Sequence, residues 1–245
     1  LPKPATTPEY GRILLKLSGE ILAGEDKSAF INPPVLSRVT REIMTLLDLG
    51  IQVGMTIGGG NLFRGTTLSA NGLSRRTADQ IGMLATVMNA LAICEAVENA
   101  GRRCHVMSAI QIPGIVETYN PRICERYLDG GALVVFAAGT SNPFFSTDTA
   151  ACLRGIEINA DLVLKATKVD GVYSKDPALH ADAEFFPRLT YNQVLDMKLG
   201  FMDLAAICLC RDHALPVRVF DFNPHIDGTL VDMVRGVERG TLISN

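Results

Sequence analysis

Apolar positions along this chain fall into two alternating patterns. Short continuous apolar runs at 12–17, 51–57, 104–109, 132–138, 162–165 and 217–221 read as buried strands. Between them apolar residues recur at helical spacing. Val35, Leu36, Val39, Ile43, Leu46 and Leu47 form one such stripe, with Gly50 where a C-terminal cap belongs. From Asp79 onward, Ile81, Leu84, Ala85, Met88, Leu91 and Ala92 form a second, predicted to face the core and closed by Gly101. Further helices are expected after Pro121, from about Thr147 and Asp148, after the Thr190-x-x-Gln193 capping box, and within 201–213. A loop is expected after Ser18-Gly19, with a helix only later. Strands that read as apolar runs and are separated by helices predict an α/β class, with a mostly parallel sheet covered on both faces.

Composition narrows the class without naming a chemistry. With 245 residues, 47% hydrophobic and 20% charged, the chain is globular, not disordered, collagenous or coiled-coil. No repeat or linker divides it, so one domain is expected over 11–245, after a flexible lead-in over 1–10 that carries Pro2, Pro4 and Pro8. A formal charge of −3 gives no electrostatic footprint for nucleic acid or an anionic membrane, so any anionic ligand has to be held locally. The six cysteines, Cys94, Cys104, Cys124, Cys152, Cys208 and Cys210, have no zinc spacing and read as buried thiols in a reducing cytosol. The longest stretch without charged residues, 130–147, is broken by Gly139-Thr140-Ser141-Asn142-Pro143, and no membrane span is expected. Leu1 to Pro8 lacks the apolar core of a signal peptide, so the expected location is cytoplasmic.

In open α/β sheets ligands collect at the carboxyl ends of strands. Four such ends are rich in small or hydroxyl residues: 16–19, 58–61, 139–142 and 165–168. Small residues let backbone N–H groups approach phosphates, which suggests a polyphosphate ligand. Lys16 and Arg64 could supply the positive charge that phosphoryl transfer requires. Each feature also has a plainer reading. The Gly58–Gly60 triplet could be a tight turn, Lys16 could snorkel to solvent, and Asp148 could simply favour a helix N-terminus. Phe144 and Phe145 could be core, and Tyr173 could pack a turn or stack on a base. Two familiar nucleotide motifs fail. Gly19 to Gly24 is followed too late by Lys27-Ser28 for a P-loop, and Gly58-x-Gly60-x-x-Phe63 lacks the third small residue of a dinucleotide fingerprint. The scattered histidines and the absence of HExxH or GxSxG motifs give zinc and nucleophilic hydrolysis no support.

With these residues in hand, the chain resembles the bacterial UMP kinases of the amino-acid-kinase family. The resemblance runs from about Arg12 to Ile243 and rests on RILLKLSGE at 12–20, GIQVG and IGGGNLFRG within 50–65, GMLATVMNALA at 82–92 and the long block at 138–177 that contains TSNPFFSTD. MDLAA at 202–206 and GTLI at 240–243 complete it. It implies a three-layer αβα sandwich with an acceptor-binding part over about 11–160 and an ATP-binding part over about 161–245. The implied reaction is transfer of the γ-phosphoryl group of MgATP to UMP, giving UDP and ADP in pyrimidine nucleotide biosynthesis. By position, Lys16, Leu17, Ser18, Gly19, Gly60 and Arg64 match contacts to the ATP phosphates, and Thr167, Tyr173 and Asp176 match the adenosine side. Gly59, Asp79, Thr140, Ser141, Asn142, Pro143, Phe144, Phe145, Ser146 and Thr147 match the UMP contacts. Lys16, Arg64, Asp148 and Lys168 are the implied catalytic set, with Asp148 orienting a lysine or Mg²⁺, and no protein-held metal is expected. Asp203 is assigned only to shaping the nucleotide site. The resemblance also implies a homohexamer, UTP as an inhibitor and GTP as a candidate effector. The surface that contacts GTP in some relatives is expected to carry Cys94, Glu98 and His105 here, with Arg102 and Arg103 nearby.

Two rival functions remain open at this level. A kinase of the same fold acting on a carboxylate or carbamate would need an amino-acid clamp in place of the 140s loop. A nucleotide-binding protein without catalysis could keep the glycines and lose transfer.

Overall fold

The computed structural model describes residues 8–24, 29–63, 72–222 and 226–245. Its strands are β1 (Arg12–Leu17), β2 (Gln52–Ile57), β3 (Cys104–Ser108), β4 (Glu117–Thr118), β5 (Leu133–Ala137), β6 (Leu162–Thr167), β7 (Val172–Tyr173), β8 (Phe185–Phe186), β9 (Arg188–Thr190), β10 (Val217–Asp221) and β11 (Thr241–Ser244). Among the described residues, nine of these form one sheet in the order β4-β3-β5-β2-β1-β6-β10-β11-β9, while β7 and β8 make a separate antiparallel pair. The sheet is parallel from β4 to β10; β11 pairs antiparallel with β10, and β9 follows β11.

The helices are α1 (Gly19–Ala23), α2 (Pro33–Asp48), α3 (Arg75–Asn99), α4 (Pro121–Asp129), α5 (Thr147–Glu157), α6 (Tyr191–Asp196), α7 (Leu204–Asp212) and α8 (Thr229–Val234). They cover both faces of the sheet. Ile13, Leu15 and Leu17 of β1 pack in the core shared with α1, α2, α3 and α8. Leu14 lies on the opposite face with α4, α5, α6 and α7. This period-two split of the apolar residues is what a strand buried on both sides produces. Each such aliphatic side chain contributes about 1.5–3 kcal/mol by leaving water. The expected sandwich with a mostly parallel sheet is therefore present.

Local signals explain most element ends. Asn32 and Asn120 cap α2 and α4 through side-chain oxygens, each with proline in the first turn. Gly50 and Gly101 follow α2 and α3 with φ of +78° and +90°, the left-handed turn that glycine adopts without strain. The Thr190–Gln193 capping box is formed at α6.

Four expectations need correction. The chain does not loop after β1, because Ser18 caps a one-turn helix, α1, directly at the strand end. Helix α3 starts at Arg75 under a Ser74 cap, so Asp79 sits inside it. Its core face is also shifted from the expected one, with Ala85 common to both. Met83, Val87, Ala90, Cys94 and Val97 are buried, whereas Leu84, Met88 and Leu91, predicted to face inward, are 49%, 52% and 38% exposed. A helix apolar nearly all round has no periodicity to phase it, and by length and hydropathy alone α3 would also pass as a membrane span; half of it is buried, packed against β3 and β5. Finally, Cys208 is half-buried, unlike the other five cysteines. Of the lead-in, Leu1 to Thr7 lie outside the described residues, while the Glu9 amide donates to Val234 O at 2.8 Å.

Candidate active site

The carboxyl ends of β1, β2, β5 and β6 lie side by side, as parallel register requires. In β1, Lys16 interrupts the buried aliphatics Ile13, Leu14, Leu15 and Leu17, while the strand's other charged residue, Arg12, stands at its opposite end. Its register partner on β6 is Lys165. Both point to the face covered by α5, whose first turn carries Asp148.

There the three charges meet. Lys16 Nζ lies 2.8 Å from Asp148 Oδ1, an ion pair outside hydrogen-bond angles, and Lys165 Nζ donates to Asp148 Oδ2 at 2.5 Å. Lys165 Nζ also donates to Phe201 O at 2.6 Å. Burial pushes the Asp148 carboxyl up, but the two ammonium groups outweigh it and hold its pKa below the ordinary value. Burial pushes Lys165 down; Asp148 opposes that shift and Lys16 adds to it. One anion thus serves two cations, leaving a net positive charge ready for an anionic ligand.

Two clefts adjoin this triad through neighbours of its members. The first, about 440 Å³, is lined by residues that include Gly59, Gly60, Asp79, Thr140, Phe145, Ser146 and Thr147. The second, about 550 Å³, is lined by residues that include Thr167, Tyr173, Asp176, Lys198 and Phe201. Thr147 precedes Asp148 and Phe201 O holds Lys165, so the triad joins the walls of both clefts.

Tight packing sets the glycine turns. A Cβ on Gly19 would sit 2.3 Å from Gly58 O and 2.6 Å from Asn61 Oδ1, and one on Gly59 would sit 2.7 Å from Ala85 Cβ. Gly60 is open, with its nearest neighbour Glu20 at 3.6 Å. Asn89, fully buried on α3, donates to Gly58 O at 2.7 Å and exchanges amide bonds with Asn61. Thr86 Oγ1 accepts from Ala138 N at 2.8 Å and so anchors the start of the 140s loop. That loop places Ala138, Gly139, Ser141 and Phe144 at positive φ. It is pinned to α3 by Asp79, which accepts from Phe144 N at 2.8 Å and from Arg75 Nε at 2.9 Å.

The structure therefore brings together Lys16, Asp148, Gly59, Gly60, Asp79, Thr140, Phe145, Ser146 and Thr147, with Thr167, Tyr173 and Asp176 in the second cleft. Gly60, matched to the ATP phosphates, lines the first cleft, beside the UMP-matched residues. Leu17 is buried and its carbonyl accepts from Gly58 N, while Ser18 caps α1. Ser141, Asn142, Pro143 and Phe144 lie on the loop outside the first cleft's lining. Phe144 and Phe145 are 68% and 50% exposed, so neither is core. Tyr173 packs edge-on against Phe185 and donates to Asp170 at 2.8 Å. Lys168 is largely exposed and pairs at 3.0 Å with Glu20, which lines the first cleft, and makes no ion pair with Asp148. Arg64 and the Lys27-Ser28 pair lie outside the described residues. Cys94 faces inward, so it does not belong to the surface expected to replace GTP contacts; His105 there stacks on Tyr127, 3.5 Å between centroids.

Sequence reasoning placed Asn61 and Lys165 at candidate strand ends without giving either a role, and passed over Asn89 and Thr86. Lys165 was visible only as the polar end of an apolar strand, and Asn89 as a lone amide in an apolar helix.

Residues 11–221 match the amino acid kinase family. Uridylate kinase of Chromohalobacter salexigens is 59% identical over 235 residues, 96% of this chain and 92% of the relative. Uridylate kinase of Pseudomonas aeruginosa is 57% identical over 239 residues, 98% and 96% of the two chains. The crystal structure of UMP kinase from Bacillus anthracis superposes with a TM-score of 0.91 at 37% identity, covering 96% of each chain.

Proposed function

The chain belongs to the amino acid kinase family, and from that premise and the two-cleft site we infer that it phosphorylates UMP, taking the γ-phosphoryl group of ATP and releasing UDP and ADP. The observation that carries the reading is the Lys16–Asp148–Lys165 triad adjoining two clefts of nucleotide-binding size.

In this reading UMP occupies the first cleft, with Asp79 toward the ribose and the 139–147 loop around base and phosphate. ATP occupies the second, with Thr167, Tyr173 and Asp176 on the adenosine side. Its phosphates reach the triad past Ser18, Gly19 and Gly60. The acceptor part is then about 11–160 and the ATP part about 161–245.

An oxygen of the UMP phosphate attacks the γ-phosphorus, and the bond to the bridging oxygen of ADP breaks. A phosphate monoester has a second pKa of about 6, so the nucleophile is already ionised at neutral pH and needs no general base. Asp148 suits a different task. Held ionised by two ammonium groups, it is a poor proton acceptor and a good spacer for Lys16 and Lys165. The two lysines meet the charge on the transferred group without rearrangement, and no covalent intermediate forms. Arg64 and Lys168 belong to this reading as further sources of positive charge for the transferred group. In this reading Mg²⁺ enters as part of the MgATP substrate, bound mainly through the nucleotide's own phosphate oxygens.

The exposed Leu84, Met88 and Leu91 face of α3 supports self-association, with a homohexamer as the proposed assembly. UTP as an inhibitor at the acceptor cleft, GTP as an effector, a cytoplasmic location and a place in pyrimidine nucleotide biosynthesis complete the proposal. The test is an acceptor panel with MgATP: UMP, CMP, dTMP, AMP, aspartate, N-acetylglutamate and carbamate, each with and without GTP. UMP turnover far above the rest supports the reading; preference for a carboxylate or carbamate overturns it.

A further inference from the structure

Asp203 caps α7, and a cap alone needs one oxygen: Oδ1 accepts from Ala206 N at 2.9 Å. The carboxylate does more than that. It accepts from Thr149 Oγ1 at 2.8 and 2.9 Å and from Ser146 Oγ, both on the opening turn of α5. Ser146 in turn caps α5, accepting from Asp148 N at 3.0 Å and Thr149 N at 3.3 Å. Two residues before Asp203, Phe201 O accepts from Lys165 Nζ, which also holds Asp148.

These contacts close a ring: Asp148, Lys165, Phe201, Asp203, Ser146 and back to Asp148. One arc, Ser146 to Asp148, borders the first cleft, and the other, Phe201, borders the second. Asp203 is the group that ties α5 to the 198–203 segment through side-chain hydroxyls. Charge-assisted bonds of this kind are short and directional, so they fix the relative position of the two arcs.

We propose that Asp203 is a positioning residue that registers the two clefts against each other, so that a nucleotide in the second raises the affinity of the first for the acceptor. The proposal rests on the reading of the clefts as ATP and UMP sites. A segment held by occupancy of one cleft presents Asp203 to α5 in one position, and α5 carries both the acceptor wall and Asp148. Asp203 touches no reacting atom in this account.

Asp203→Asn keeps the size and remains a good helix cap, but its amide nitrogen cannot accept from the hydroxyls of Ser146 and Thr149. Thr149→Val removes one of the same bonds from the other side and serves if Asp203→Asn folds poorly. Titration calorimetry gives the dissociation constant of UMP alone, of a non-hydrolysable ATP analogue alone, and of UMP with that analogue saturating. The wild type is expected to bind UMP at least about fivefold more tightly with the analogue present, the lower end of common coupling strengths. In either variant that ratio falls toward one, the two separate affinities stay within about twofold by our expectation of a positioning role, and kcat drops. The double variant is expected to be no worse than Asp203→Asn, because both remove one unit.

If wild-type UMP affinity is the same with and without the analogue, the proposal is overturned. It is also overturned if the variants weaken both separate affinities while the ratio is kept. Absence of any UMP binding by the wild type would instead overturn the reading of the first cleft.

Discussion

Lys16 and Lys165 are register partners on adjacent strands, and their ammonium groups touch the two oxygens of a single carboxylate, that of Asp148. The sheet, not a loop, sets their spacing. Strand register is fixed wherever both faces are buried, since a slip of one residue would turn every side chain over. The triad is thus as rigid as the core beneath it.

Asp148→Asn should therefore lower turnover by at least about a hundredfold, the scale of losing one preorganised electrostatic contact. A pH signature goes with it. Because the folded-state pKa of Asp148 lies below its ordinary value, its contribution to stability is present above the unfolded value of about 3.9 and is lost as pH falls through the folded value. Urea denaturation from pH 5 downward should show a shallower loss for Asp148→Asn than for the wild type. Equal slopes would remove Asp148 as an ionised partner of the lysines.

Glycines at the site separate by role. Gly19→Ala should destabilise the fold by about 1–3 kcal/mol in chemical denaturation, since its Cβ meets backbone that cannot retreat. Gly60→Ala has room and should change stability by no more than about 0.5 kcal/mol, while raising KM for nucleotide. A large loss of stability for Gly60→Ala would contradict its assignment as an approach point for phosphate.

Asp79→Ala should raise KM for UMP more than for ATP. The carboxylate lines the first cleft and also pins Phe144 N, so its loss frees the 140s loop as well as removing the proposed ribose contact. Equal effects on both substrates would overturn its placement on the acceptor side.

The outer face of α3 gives a prediction about assembly. Replacing Leu84 or Met88 with Glu should reduce the mass measured by light scattering while leaving the circular dichroism of the fold unchanged. An unchanged mass would show that this face is not the one that assembles.

Much of this was legible in the sequence, for physical reasons that differ by element. β1 and β2 announce themselves because doubly buried strands must be apolar throughout, and Lys16 stands out against that background. Phe144, Phe145 and the 140s loop are marked by turn residues and borne on an exposed segment. The phase of α3 was not legible, since Leu84 and Met88 are as apolar as the buried Met83 and Val87. Neither was the role of Lys165: its partner Lys16 is 149 positions away, and only the β1–β6 register brings them together. Short elements such as α1 and β9 depend on neighbours that no local pattern names.

Phosphoryl transfer to UMP is expected to pass over this lysine pair. The direct measurement is UDP formation from UMP and MgATP by the wild type and by Lys16→Ala, with ATP-analogue binding measured on both. UDP is expected from the wild type, with a loss of turnover in Lys16→Ala of at least about a hundredfold while the analogue still binds. Turnover by Lys16→Ala at the wild-type rate, or no UDP from a wild type that binds ATP, would contradict it.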